Sequence, residues 1–135
     1  MIRHQLSIFV ENEPGVLARV AKALGDGGVN LRALSVSDNH DDAVLRIVVD
    51  DDAKAIDVLE RAGALVVSRE ILEVSVPDRP GALAHIAAFL AEKGVNIGYA
   101  YGSAGGAGEA HLDLRVPDAR TQELDAALTA HIAKM

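Results

Sequence analysis

The sequence predicts an α+β fold made of two consecutive copies of one β-α-β-β-α-β unit. Three observations carry this. Val10-Glu11-Asn12-Glu13-Pro14-Gly15-Val16-Leu17-Ala18 returns 66 positions later as Val76-Pro77-Asp78-Arg79-Pro80-Gly81-Ala82-Leu83-Ala84. Gly28-Val29-Asn30-Leu31 returns at the same spacing as Gly94-Val95-Asn96-Ile97. Around these landmarks the hydrophobic period switches between two and 3.6 in the same order in both copies.

The elements follow in order. Leu6, Ile8 and Val10 alternate over Gln5–Glu11, as a strand with one buried face does, and Ile71–Val76 is its equivalent. After Pro-Gly, Val16, Leu17, Val20, Ala21 and Leu24 draw an amphipathic helical stripe, repeated by Leu83, Ile86, Ala87 and Leu90. Gly25, Gly27 and Gly28 end the first helix and Gly94 the second. A second strand is expected over 30–37 and 96–101, and a third over 43–49 and 111–116. A second helix is expected over 53–62 and 121–133. Asp50-Asp51-Asp52 and Asp118 stand where N-caps and acids favourable to the helix dipole belong. Leu65–Val67 supplies a fourth strand to the first unit. The second unit ends on its second helix, so it is expected to lack its last strand or to take one from another chain or element. Antiparallel sheets with both helices on one face make this the ferredoxin-like plan, with units at 1–69 and 70–135.

Composition narrows the function. The net charge of −7 and the 3% aromatic content remove the cationic footprint and the stacking platforms of nucleic-acid binders. No basic amphipathic surface or long apolar run points to a membrane. The absence of Cys excludes disulfides, thiolate metal sites and Cys nucleophiles. No leader-like segment is read at the start, and a cytoplasmic location is expected.

Several chemical motifs are read as structural. The glycine-rich run Gly102–Gly108 leads into a strand, whereas a phosphate loop opens a helix, so it is read as a hairpin connection. His4, His40, His85, His111 and His131 lack metal-ligand spacing. Ser35, Ser37 and Ser103 show no nucleophile–base logic. Tyr99 and Tyr101 share one strand face and are read as core or interface. No catalytic residue, metal or cofactor is expected.

The two stretches Asn12-Glu13-Pro14-Gly15-Val16-Leu17 and Asp78-Arg79-Pro80-Gly81-Ala82-Leu83, each with its Gly-Val-Asn, resemble ACT domains. The closest likeness is to small tandem ACT proteins. That resemblance implies a regulatory, non-enzymatic module that binds an amino acid at an interface between ACT units, as a homodimer, with an enzyme of amino-acid metabolism as a possible partner. The alternative is a regulatory subunit that joins such an enzyme without binding a ligand itself. The implied ligand residues are Asn12, Glu13, Pro14, Gly15, Val16 and Leu17 with Asn30 and Leu31. In the second copy they are Asp78, Arg79, Pro80, Gly81, Ala82 and Leu83 with Asn96 and Ile97.

The residues suit the task. Glycine lets a ligand approach the backbone. Pro14 and Pro80 fit the first helical position, and the following N–H groups form a seat for a carboxylate. Asn12 or Asp78 suits an ammonium, and Asn30 and Asn96 offer amides. Each also has a plainer reading: turn shaping for Pro-Gly, helix capping for Asn12 and Asp78, and a left-handed backbone for Asn30 and Asn96. The first turn lacks the acid and carries Glu13 where the second has Arg79, so the two copies are not equivalent.

Overall fold

The computed structural model describes residues 1–39 and 42–135. His40 lies outside the described residues. The elements are β1 (Ile2–Glu11), α1 (Val16–Asp26), β2 (Leu31–Asn39), β3 (Asp42–Val49), α2 (Asp52–Arg61), β4 (Leu65–Pro77), α3 (Ala82–Glu92), β5 (Tyr99–Gly106), β6 (Glu109–Arg115) and α4 (Thr121–Ile132). A short 3-10 turn over Asp118–Arg120 precedes α4. The chain divides into two compact units: His4–Arg69, and Glu70–Met135 together with Met1–Arg3.

In the His4–Arg69 unit the strands lie in the order β2-β3-β1-β4, the ferredoxin-like arrangement. β1 and β3 are antiparallel, with Leu6 opposite Ile47 and Ile8 opposite Leu45. These side chains face the helices, and with Leu24, Val29, Ala55 and Leu59 they form the core. Gly27 marks how tightly α1 and α2 pack, since a Cβ there would stand 2.6 Å from the Val58 side chain. The aspartates begin α2 as expected. Asp51 caps it by accepting the Lys54 N–H at 3.1 Å, Asp52 opens its first turn, and Asp50 accepts the Asn30 N–H at 3.0 Å. Asp51→Ala should therefore cost about 1 kcal/mol, read as a lowered urea midpoint with an unchanged slope.

The other unit answers the question of the missing strand. Residues 70–135 hold three strands, β4, β6 and β5, side by side. The fourth place, beside β4, is filled by Met1–Arg3, the start of β1. Met1 and Glu73 exchange a pair of backbone hydrogen bonds, at 2.7 and 2.8 Å, and Arg3 reaches the Glu73 carboxylate at 3.4 Å. Ile2 packs on the core of Leu72, Val74, Ile86, Leu90, Leu114, Leu124 and Leu128, as Val66 packs on the core of the first unit. Among the described residues each unit thus has four strands. The expected strands at Leu65–Val67 and Ile71–Val76 are one strand, β4. The intervening Ser68-Arg69-Glu70 holds neither Gly nor Pro to break it.

Two other expectations change. Asp118 is not the N-cap of α4; it binds Arg115, and Arg120 occupies the cap position with no side-chain capping bond. Arg120 instead reaches Glu123 at 2.7 Å and holds that carboxyl below its ordinary value. The contribution of this exposed contact is lost as pH falls through the lowered pKa. The second strand of this unit starts at Tyr99, so Asn96 and Ile97 lie in the loop before it.

The glycine-rich run is a hairpin between β5 and β6, not a phosphate loop. A Cβ on Gly102 would collide with the His111 carbonyl oxygen, and one on Gly105 with the His111 ring. His111 itself bonds Ser75 Oγ through Nδ1 at 2.9 Å.

Candidate functional site

The two Pro-Gly turns have matching geometry. In the first, the Val16 N–H donates to the Glu13 carbonyl at 3.4 Å, and Gly15 has φ +89° and ψ −8°. In the second, the Ala82 N–H donates to the Arg79 carbonyl at 3.2 Å, and Gly81 has φ +90° and ψ −10°. These are type II turns, with Pro at the second position and Gly at the third. The prolines therefore precede the helix cap and do not occupy the first helical position. Gly15 and Gly81 are the N-cap residues, and neither makes a side-chain cap bond. Asn12 and Asp78 are therefore not the N-cap residues, and the Asp78 N–H donates to the Gly108 carbonyl at 2.8 Å.

The left-handed glycine is a conformational requirement, not a steric one. A Cβ at Gly15 would meet nothing within 4 Å. Gly15→Ala should still cost about 1–2 kcal/mol for forcing an L-residue to positive φ. Gly25→Ala, in open space near the end of α1, should raise stability by roughly 0.5–1 kcal/mol. Urea denaturation of the two variants should move in opposite directions.

Asn12, Glu13, Pro14 and Gly15 are exposed, as are Asp78, Arg79, Pro80 and Gly81. Glu13 pairs with Arg19 at 3.4 Å. Val16 and Ala82 are buried, whereas Leu17 and Leu83 present 44% and 57% of their surface beside the turns. The N–H groups of the first helical turn lie among these exposed residues. They lack partners i−4 within the helix, so they form an uncapped positive end.

Asn30 and Asn96 stand elsewhere in their units. The left-handed residues at these bends are Gly28 and Gly94, with φ +74° and +69°; neither asparagine takes that conformation. Their side chains are exposed, and Leu31 and Ile97 pack partly on the cores. Both asparagines follow the C-terminal end of a helix whose N-terminus carries the Pro-Gly turn. The eleven residues of α1 separate the two landmarks by about 16 Å. Within one unit the fold gathers residues 12–17 and sets residues 30–31 apart from them.

One feature was not found from the sequence. A groove of about 410 Å³ opens in the His4–Arg69 unit between the end of β1, one face of α1 and the C-terminal end of α2. Its floor includes Val10, Val16, Val20, Ala23 and Leu59, and Glu11, Glu13 and Arg19 line the end near the turn. The available signal was the difference between the copies: Ala23 stands where the second copy has Phe89.

Among the described residues no group of His, Asp or Glu could hold a metal ion. Among the described residues no helix is long and apolar enough to cross a membrane.

Comparison with known proteins agrees with the duplicated architecture. A family model described as an ACT domain pair matches residues 1–124. Over 77 residues the chain is 34% identical to a probable acetolactate synthase small subunit of Archaeoglobus fulgidus, covering 55% of this chain and 48% of that one. Over 76 residues it is 30% identical to the acetolactate synthase small subunit of Aquifex aeolicus, covering 54% and 40%. The matched stretches thus span about half or less of these curated relatives. A crystal structure of a Bacteroides thetaiotaomicron protein superposes with a TM-score of 0.88 at 33% identity, covering 96% of this chain and 90% of that one. The ligand-free regulatory subunit of aspartate kinase from Thermus thermophilus shares the fold, with a TM-score of 0.73 at 20% identity and coverage of 96% and 92%. The repeated turns, the two four-stranded units and a family match over nearly the whole length lead to one assignment: the chain belongs to the ACT domain pair family.

Proposed function

We propose that this protein is a non-catalytic regulator that binds an amino acid at an interface between ACT units and so changes its own assembly or that of an enzyme of amino-acid metabolism. The observation that carries this reading is the doubled turn, with its left-handed glycine and uncapped helix start. The ligand carboxylate sits on the first free N–H groups of the helix, and the turn side chains meet its ammonium. Asn30 and Asn96 lie at the far ends of the helices of their own units, so an asparagine that completes a site comes from a different ACT unit. This supports an interface site. The similarity to subunits named for acetolactate synthase and aspartate kinase supports an enzyme partner. Regulation needs different affinities for two states, since equal affinity shifts nothing.

A screen of the twenty amino acids by thermal shift tests the proposal. A ligand at 100 times its Kd adds roughly 2.7 kcal/mol of stability. A flat response to all twenty into the millimolar range would overturn it.

The second reading is a subunit that associates without ligand. One observation favours association: β2 is the outer strand of its unit and exposes 43% of Leu34 and 52% of Val36. Such an edge is a template for pairing with another chain. Light scattering of the wild type should give the mass of a dimer, and Val36→Lys should shift it towards the monomer.

A further inference from the structure

We infer that the groove of the His4–Arg69 unit receives the side chain of a bulky apolar α-amino acid, and that the other unit is closed to such a ligand by its own Phe89. The inference rests on the amino-acid-binding reading above and names the ligand class.

The two copies differ at two positions that face each other. Ala23 of α1 corresponds to Phe89 of α3, 66 positions on. Ala62 follows the buried Leu59 by three residues, and His131 follows the buried Leu128 by three. In the second unit Phe89 and His131 stack with ring centroids 4.2 Å apart, and Lys93 Nζ lies 5.0 Å from the Phe89 centroid. In the first unit both places hold alanine, and the space is the 410 Å³ groove. That volume falls in the usual range of small-molecule pockets, ~300–1,000 Å³.

The chemistry of the groove is graded along its length. Charged groups of both signs, Glu11, Glu13 and Arg19, stand at the end next to the Pro14-Gly15 turn. The opposite end is the close of α2, where the Ala62, Gly63 and Ala64 N–H groups already satisfy the carbonyls of Val58, Leu59 and Glu60. Between them lie Val16, Val20 and Leu59. A zwitterion with an apolar body matches this order. Its carboxylate meets Arg19 and the helix start, its ammonium meets the two glutamates, and its side chain lies along the floor. Small or polar amino acids leave the floor unfilled.

Isothermal titration of the full chain with leucine, isoleucine, phenylalanine, glycine and serine tests this. At least one apolar ligand should bind with a stoichiometry near one per chain and at least tenfold more tightly than glycine or serine, since each buried methylene is worth roughly fourfold. Ala23→Phe, which rebuilds the plug of the second unit, should weaken binding at least tenfold. Ala21→Phe, on the exposed side of α1, should leave it unchanged. Equal affinity for glycine and leucine in the wild type overturns the inference whether or not the variants fold. So does undiminished binding by a folded Ala23→Phe; both outcomes leave the broader amino-acid reading standing. No heat with any of the five, together with a flat twenty-amino-acid screen, removes the broader reading itself.

Discussion

Leu114→Ala is expected to destabilise the Glu70–Met135 unit by about 3 kcal/mol, within the 2–5 typical of such truncations. Leu114 is fully buried on β6. It stands opposite Leu72 in the β4–β6 ladder and packs in the cluster that α3 and α4 cover. Removing its isobutyl group loses transfer free energy and leaves a cavity that Ile86, Leu90 and Leu124 cannot all collapse to fill. A unit of this size has little reserve, because small domains bury a smaller share of their surface. Its stability is therefore expected near the lower part of the ~5–15 kcal/mol range of folded domains. Leu83→Ala provides the contrast. It removes the same atoms from a side chain that is 57% exposed, and the cost should stay near 0.5 kcal/mol. Urea denaturation followed by circular dichroism separates the two; equal midpoints would contradict the assigned core.

The second large effect is expected at the start of the chain. A variant in which Met directly precedes His4 should lose about 3 kcal/mol from the unit formed by residues 70–135. It removes the Ile2 side chain, worth up to roughly 2 kcal/mol where buried. It also removes the backbone pair between Met1 and Glu73, at about 1 kcal/mol for each bond. The loss should be local. Amides of β6 and α4 should exchange faster with solvent, while those of β3 and α2 keep their protection. Uniform loss of protection over both units, or no loss at all, would contradict the role of Met1–Arg3 as the fourth strand.

That role illustrates what local patterns convey. The alternation of Leu6, Ile8 and Val10 marks a strand because neighbours in sequence share its consequences. The pairing of Met1 with Glu73 joins residues 72 positions apart, and no periodicity in the first three residues marks it. The chain shows a missing strand at its end but not the segment that replaces it. The aspartates before α2 were legible for the opposite reason, since an N-cap acts within three residues.

The candidate site divides in the same way. The Pro-Gly turns were readable because φ near +90° requires glycine and proline suits the position before it. The distance between Gly15 and Asn30 follows from the helix expected between them, at about 1.5 Å per residue, but the ligand set came from a motif resemblance, which carries no distance. The groove was missed for another reason. Its signal lies where the copies disagree, Ala23 against Phe89, and a repeat is found by where copies agree.

If an amino acid seats on the uncapped start of the first helix, amide chemical shifts in a titration of the labelled protein will register it there. On addition of the tightest-binding amino acid, the largest shifts are expected at Gly15, Val16, Leu17 and Ala18, with the β5–β6 hairpin amides at Gly105–Gly108 unmoved. Saturable binding that leaves the amides of residues 15–18 in place would contradict it.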